Sequence, residues 1–305
     1  MSVAADRVLR HLLEIDDLSA DELTAVLNRA EQPQPPTLLA GRSVGLLFQK
    51  PSLRTRHSCE VAVIQLGGHP VTFFADEVGP GSREPLTDVA RVLGGYHAVL
   101  GARVFRHDDL EALAAPNAIP VVNLLSDRAH PCQAVADLLT IRQQFGTLEG
   151  RIVCFVGDYN NVARSLARGA AIVGLDLRIA SPVGYRPSPA ERKYLGRLGG
   201  EPHITNDPLE AADGAHVVYT DIWTSMGFEG ESDVRAAAFA GYQVDDTVLK
   251  AARPDAVFMH CLPAHRGEEV TATVVDGAQS VVFRQAHNRL DAFRGLLWWL
   301  REVNT

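Results

Sequence analysis

Apolar residues recur along this chain in two alternating rhythms. Short continuous runs at Val44 to Phe48, Val71 to Phe74, His97 to Leu100 and Ile119 to Leu124 read as strands, and stretches of helical spacing lie between them at Arg56 to Leu66 and Leu86 to Leu93. Strands without polar alternation suit burial on both faces, which requires crossover helices, so the series predicts βαβ units and a parallel sheet. A second series opens at Ile152 to Val156, continues through a helix at Asn161 to Val173, and repeats with strands at Leu177 to Ala180, His216 to Thr220 and Val257 to His260. Ser19 followed by Glu22 is a capping-box pattern, predicting a helix through about Arg29 before the PQPP break at Pro33 to Pro36. The stretch Pro131 to Phe145, apolar at helical spacing, lies between the two series as a bridging helix. Asn288 to Val303 has the same character and is expected to return to the first domain, and the N-terminal stretch MSVAADRVLRHLLEIDDL reads as an ordinary helix. The predicted fold is α/β: two domains, each a mostly parallel sheet flanked by helices, joined by bridging helices. Residues 1–135, completed by 287–305, form the first domain and 146–275 the second.

Length and charge narrow the function. At 305 residues the chain fits two ordinary domains with a cleft between them. It is 46% hydrophobic and 22% charged, with no apolar run of bilayer length, and its N-terminus has acidic residues where a signal peptide needs a long hydrophobic core. A cytoplasmic enzyme is the expectation. A net charge of −8 with scattered or motif-bound arginines argues against a nucleic-acid surface, so an anionic ligand must be held by a local pocket. The four cysteines, Cys59, Cys132, Cys154 and Cys261, lack metal-ligand spacing, and neither a disulfide nor a zinc site is expected.

The candidate chemistry lies in three stretches: SLRTR at Ser52 to Arg56, HPCQ at His130 to Gln133, and HCLPAHRGEEV at His260 to Val270. The first follows an apolar strand and opens an apolar-periodic segment. Such a junction aims unpaired N–H groups and the positive helix end at an anion, and arginine adds a planar fork for two phosphate oxygens. A phosphate is the natural guest. Positions after Phe48, Leu124, Val156, Thr220 and His260 all fall beyond the carboxyl ends of strands, where open α/β sheets bind ligands. Cys261 beside His260 and His265 admits a covalent reading, but neighbours along a strand face opposite sides and no separate base is evident, so it is not the first choice. GDYNNV lacks the GxGxxG fingerprint of a dinucleotide site.

The motifs FxKPSxRTR (Phe48 to Arg56), ARVL (Ala90 to Leu93), HPCQ, HCLPAHRGEEV and the NR pair Asn288 and Arg289 occur in an order that resembles the aspartate/ornithine carbamoyltransferase superfamily. Asp221 to Gly227, DIWTSMG, is similar to the DxWxSMG loop of members acting on ornithine. The resemblance implies transfer of a carbamoyl group from carbamoyl phosphate to the δ-amine of ornithine, giving citrulline and phosphate in arginine biosynthesis, with no metal or organic cofactor. Carried over residue by residue, Ser52, Leu53, Arg54, Thr55, Arg103, His130, Gln133, Cys261, Leu262 and Arg289 hold carbamoyl phosphate, all but Cys261 and Leu262 from the first domain. Arg54, Arg103, His130 and Cys261 act in catalysis, and Asn161, Asp221, Ser225 and Met226 hold ornithine. The resemblance also implies a homotrimer or a multiple of trimers, domain closure, and no nucleic-acid or membrane partner. Leu53 stands where threonine is commoner, Gln49 and His287 where glutamate is usual, and Gly79 where a Gln or His often reaches a neighbouring subunit's site. Two other readings stay open: a sister enzyme for N-acylornithine, putrescine or lysine, and a catalytically silent carbamoyl-phosphate-binding subunit.

Overall fold

The structure, a computed structural model, describes residues 8–79, 83–224 and 229–305. The apolar runs form strands that sort into two parallel sheets, one in each of two units: Met1–Ala136 with Arg289–Thr305, and Asp137–Asn288. The chain crosses between units inside helices, once within Pro131–Phe145 and once within Val282–Val303.

In the first unit β1 (Ser43–Phe48), β2 (His69–Phe74), β3 (Val99–Arg103) and β4 (Val121–Leu125) lie in the order β2-β1-β3-β4. β3 is buried at every position and β1 at all but its first, as a strand covered on both faces requires, whereas edge strand β2 is only partly covered. Leu47, Leu100, Ala102 and Val121 pack with Val89, Leu110 and Leu113 into one apolar cluster. Phe48 pairs with Arg103, and the Gln49 N–H donates to the Arg103 carbonyl at 2.8 Å, so β1 and β3 finish level with each other.

The N-terminal stretch corrects one expectation. Its described part, from Val8, forms no α-helix, only a 3-10 turn at Ile15–Asp17: the Leu12 N–H donates to Val121 O at 2.9 Å and Leu12 O accepts from the Asn123 N–H at 2.8 Å. Leu12 thereby bridges in parallel to Val122 on the outer side of β4. An uncovered sheet edge leaves backbone groups unpaired, and this long-range pairing outweighs the segment's helical spacing. The helix of the capping box does form at Ala20–Ala30, with Ser19 Oγ accepting from the Glu22 N–H and the Glu22 carboxylate from the Ser19 N–H.

In the second unit β5 (Ile152–Val156), β6 (Asp176–Ala180), β7 (His203–Thr205), β8 (Val217–Thr220) and β9 (Val257–His260) lie in the order β7-β6-β5-β8-β9. β7 has no counterpart in the apolar pattern, being a three-residue edge strand carrying His and Thr. Val156 pairs with Thr220, and Thr220 with His260. Three loops therefore leave neighbouring strands side by side. Among the described residues no helix is long and apolar enough to cross a membrane.

Candidate active site

The candidate anion site of the first unit gathers at the carboxyl ends of β1, β3 and β4. Ser52 caps the Leu53–Gln65 helix, its Oγ accepting from the Thr55 N–H at 3.4 Å, so the helix begins inside SLRTR. Thr55 is buried, whereas the Leu53 side chain is exposed, so of Leu53 only the backbone N–H at the helix start is suited to an anion. Arg103 ends β3 and is buried, and His130 and Gln133 follow β4 at the start of the Pro131–Phe145 helix. Arg289, from the C-terminal helix, joins these parts. Its Nη1 donates to Gln133 Oε1 at 2.8 Å and to His130 Nε2 at 3.4 Å, and its Nη2 donates to Thr55 Oγ1 at 2.8 Å.

This geometry assigns the histidine's tautomer. A guanidinium only donates, so His130 Nε2 accepts and the ring proton sits on Nδ1. Burial first, then the charges of Arg289, Arg103 and Arg54, hold the His130 pKa well below 6.5. The imidazole is thus a neutral hydrogen-bond donor set among guanidiniums. Of the residues singled out in the sequence, Ser52, Arg54, Thr55, Arg103, His130, Gln133 and Arg289 fall in this one region. Cys59 and Cys132 are buried beneath it with their thiols pushed up, Cys132 to about 12, and have no nucleophilic character.

At the level strand ends of the second unit a different group assembles. Cys261 Sγ donates to Asp221 Oδ1 at 3.0 Å, and the other Asp221 oxygen accepts from Asn160 Nδ2 at 2.8 Å. Asn160 Oδ1 also accepts from Val162 N and Ala163 N as the cap of the Asn161–Val173 helix. It is therefore Asn160 that ties GDYNNV to Asp221, with Asn161 beginning the helix beside it. The Cys261 thiol donates toward the Asp221 carboxylate, which fixes the direction of the sulfur. Leu262 has φ +60, a strained value for a side chain of this size. Its N–H donates to His260 Nδ1 at 2.8 Å, and His260 Nε2 faces Glu269 Oε1 at 3.2 Å, all inside the HCLPAHRGEEV motif. The His260 N–H donates to Gln285, which donates in turn to Asp137.

Asn160, Glu269, Gln285 and Asp137 are the residues that sequence reasoning missed. Glu269 had a signal, lying in a recognised motif, but nothing in the order of residues distinguishes its buried carboxylate from the exposed one of Glu268. Ser225 and Met226 lie outside the described residues. Asp221, His260 and Cys261 are close enough to suggest metal ligands, but both His260 nitrogens are engaged within the motif and the thiol with Asp221.

Guanidiniums around a neutral imidazole at the strand ends of one parallel α/β unit suit an anionic ligand, and the second unit carries a thiol–carboxylate pair at its own strand ends, the features of an α/β enzyme. Residues 10–143 match the family model described as aspartate/ornithine carbamoyltransferase, carbamoyl-P binding domain, and residues 149–300 match that of the Asp/Orn binding domain. The second match runs on through the C-terminal helix, although Arg289–Thr305 packs with the first unit. The chain belongs to the aspartate/ornithine carbamoyltransferase family. It is 48% identical to the ornithine carbamoyltransferase of Acidothermus cellulolyticus over 305 residues, covering 97% of this chain and 98% of the relative. The crystal structure of ornithine carbamoyltransferase from Thermus thermophilus has a TM-score of 0.88 at 45% identity, covering 98% of this chain and 100% of that one. The anabolic enzyme of Campylobacter jejuni gives 0.91 at 34% identity, covering 96% of this chain and 99% of its own.

Proposed function

We infer that this chain carbamoylates ornithine: it transfers the carbamoyl group of carbamoyl phosphate to the δ-amine, giving citrulline and phosphate. The observation that carries the reading is the triple contact of Arg289 with Thr55, His130 and Gln133, which ties the SLRTR, HPCQ and NR motifs into one anion pocket. The near-complete alignment with ornithine enzymes favours ornithine over acylated or decarboxylated amines.

The residue roles follow from the chemistry. The first unit acts as the carbamoyl-phosphate-binding domain and the second as the ornithine-binding domain. The Leu53, Arg54 and Thr55 N–H groups with the Arg54 and Arg103 guanidiniums hold the phosphate, Arg289 keeps the pocket positive, and Gln133 accepts from the carbamoyl nitrogen. As the neutral δ-amine attacks the carbonyl carbon, negative charge grows on the carbonyl oxygen, where His130 Nδ1–H, Arg54, Arg103 and Thr55 donate. The C–O bond to phosphate then breaks, phosphate departs with the electron pair, and the new nitrogen loses its proton. Cys261 and Leu262 orient the amine and the carbamoyl nitrogen, while Asn161, Asp221, Ser225 and Met226 hold the amino-acid head. Each preorganised donor of this kind is commonly worth about 10²–10³ in rate. The attacking amine must be unprotonated, so the rate rises with pH toward the amine's own range, about 10.4 in water.

We further propose that the working form is a homotrimer. The family resemblance motivates this, and Leu53, Val61 and Ile64, exposed on one face of the Leu53–Gln65 helix, together with Val71 on edge strand β2, offer an apolar surface to cover.

The deciding experiment measures citrulline from carbamoyl phosphate with ornithine, beside N-acetylornithine, putrescine, lysine and aspartate, with Arg54→Ala as the comparison. Turnover with ornithine alone, lowered at least a hundredfold in the variant, supports both substrate and pocket. Preference for another amine overturns the substrate, and carbamoyl phosphate binding without any turnover makes the chain a silent binding subunit.

A further inference from the structure

The loop that follows Cys261 holds a buried carboxylate with one oxygen left over from its hydrogen bonds. Glu269 is 0% exposed. Its Oε1 accepts from the His265 N–H at 2.5 Å and faces His260 Nε2 at 3.2 Å. Its Oε2 is buried without a hydrogen-bond partner among the described residues. An unsatisfied buried carboxylate oxygen is costly and calls for a cation. The nearest arginine of the loop, Arg266, does not supply one, because its guanidinium is committed to both oxygens of Asp276 at 2.7 and 2.9 Å.

The surroundings of Oε2 supply metal-type donors instead. His265 Nδ1 lies 4.0 Å from Glu269 Oε2 and 3.5 Å from Glu268 Oε2, and each of the three residues offers a donor atom within 4.8 Å of one from each of the others. Local backbone explains the convergence. The Glu268 N–H closes a turn onto the His265 carbonyl at 2.9 Å, and the third residue of that turn, Gly267, has φ +94, which glycine adopts without strain. His265 and Glu268 are thereby brought together on the exposed side of Glu269. A first-row metal ion with bonds of about 2.0–2.2 Å holds its ligand atoms roughly 3–3.5 Å apart, so small side-chain rotations close the set. One imidazole with two carboxylates suits zinc, nickel or manganese, whereas magnesium and calcium favour all-oxygen shells.

We propose that His265, Glu268 and Glu269 form a binding site for a divalent first-row transition metal, with water completing its coordination. The site is separate from the Asp221, His260 and Cys261 group, whose donor atoms are consumed by one another and by the motif's own backbone. It is nevertheless coupled to that group. The carboxylate that would take the metal through Oε2 holds His260 through Oε1, and His260 holds the strained Leu262. An ion here fixes the Glu269 carboxylate and steadies the turn that presents Cys261.

The test titrates zinc ions into the full chain at neutral pH against a colorimetric chelator, with melting temperature as a second readout. It uses the natural chain, His265→Ala, Glu268→Gln and Cys261→Ser, and repeats the titration in excess magnesium. His265 and Glu268 are 45% and 63% exposed in their side chains, so their variants keep the fold. The expected result is one zinc equivalent per chain and a raised melting temperature, retained in Cys261→Ser, weakened at least tenfold in His265→Ala and severalfold in Glu268→Gln, and indifferent to magnesium. Absence of stoichiometric zinc, zinc binding unchanged in His265→Ala, or zinc lost in Cys261→Ser each overturns the proposal.

Discussion

At the scale of single residues, His130 links the pocket's chemistry to the chain's stability. Burial and the guanidiniums of Arg289, Arg103 and Arg54 keep its folded-state pKa well below 6.5, while the unfolded chain takes up a proton near that value. Below about pH 6.5 the unfolded state therefore binds more protons than the folded one, and stability falls with pH until the folded pKa is reached. Urea denaturation between pH 7.5 and 5 should show this loss, and His130→Gln should reduce its slope by up to about 1.4 kcal/mol per pH unit. His11, His97 and His216, also lowered by burial, supply the part that remains. An unchanged slope in the variant would contradict the assignment. Gln49 illustrates a residue whose difference was visible in the sequence and whose reason was not. Its Nε2 donates to Asp109 Oδ2 at 3.0 Å and its Oε1 accepts from the Phe105 N–H at 2.6 Å. A glutamate there would set two carboxylates against each other.

At the scale of elements, the C-terminal helix Val282–Val303 does more than its apolar periodicity indicates. The stretch expected to begin at Asn288 starts at Val282, which brings Gln285 to the His260 N–H. Further along, Arg294 Nη2 donates to the carbonyls of Ala30 and Gln32 at 2.7 and 3.1 Å, where the Ala20–Ala30 helix ends. Gly295 permits this approach, since a Cβ there would lie 2.6 Å from Val26 O and 2.9 Å from Ala30 N. Both obstacles are backbone atoms and cannot rotate aside. Gly295→Ala is expected to destabilise the chain by about 2 kcal/mol despite alanine's better helix propensity, read as a lower denaturation midpoint. The same displacement should weaken carbamoyl phosphate binding, because Arg289 lies on this helix.

At the scale of the whole molecule, the proposed trimer predicts a light-scattering mass of about three times the 33.0 kDa chain. Ile64→Glu should lower that mass by charging the exposed helix face, and a monomeric natural chain would remove the proposal. The sequence by itself determined the α/β class, most of the strands and the motifs that hold a phosphate, because burial on two faces and strand-to-helix turns leave local signatures in residue order. Tertiary structure alone decided which of those parts meet. Arg289 reaches Thr55 and His130 only through the return of the last helix, and Leu12 pairs with Val122 against its own helical spacing. Glu269 differs from Glu268 only by which side of a turn is covered. These outcomes depend on long-range pairing and burial, whose energies are set by neighbours distant along the chain.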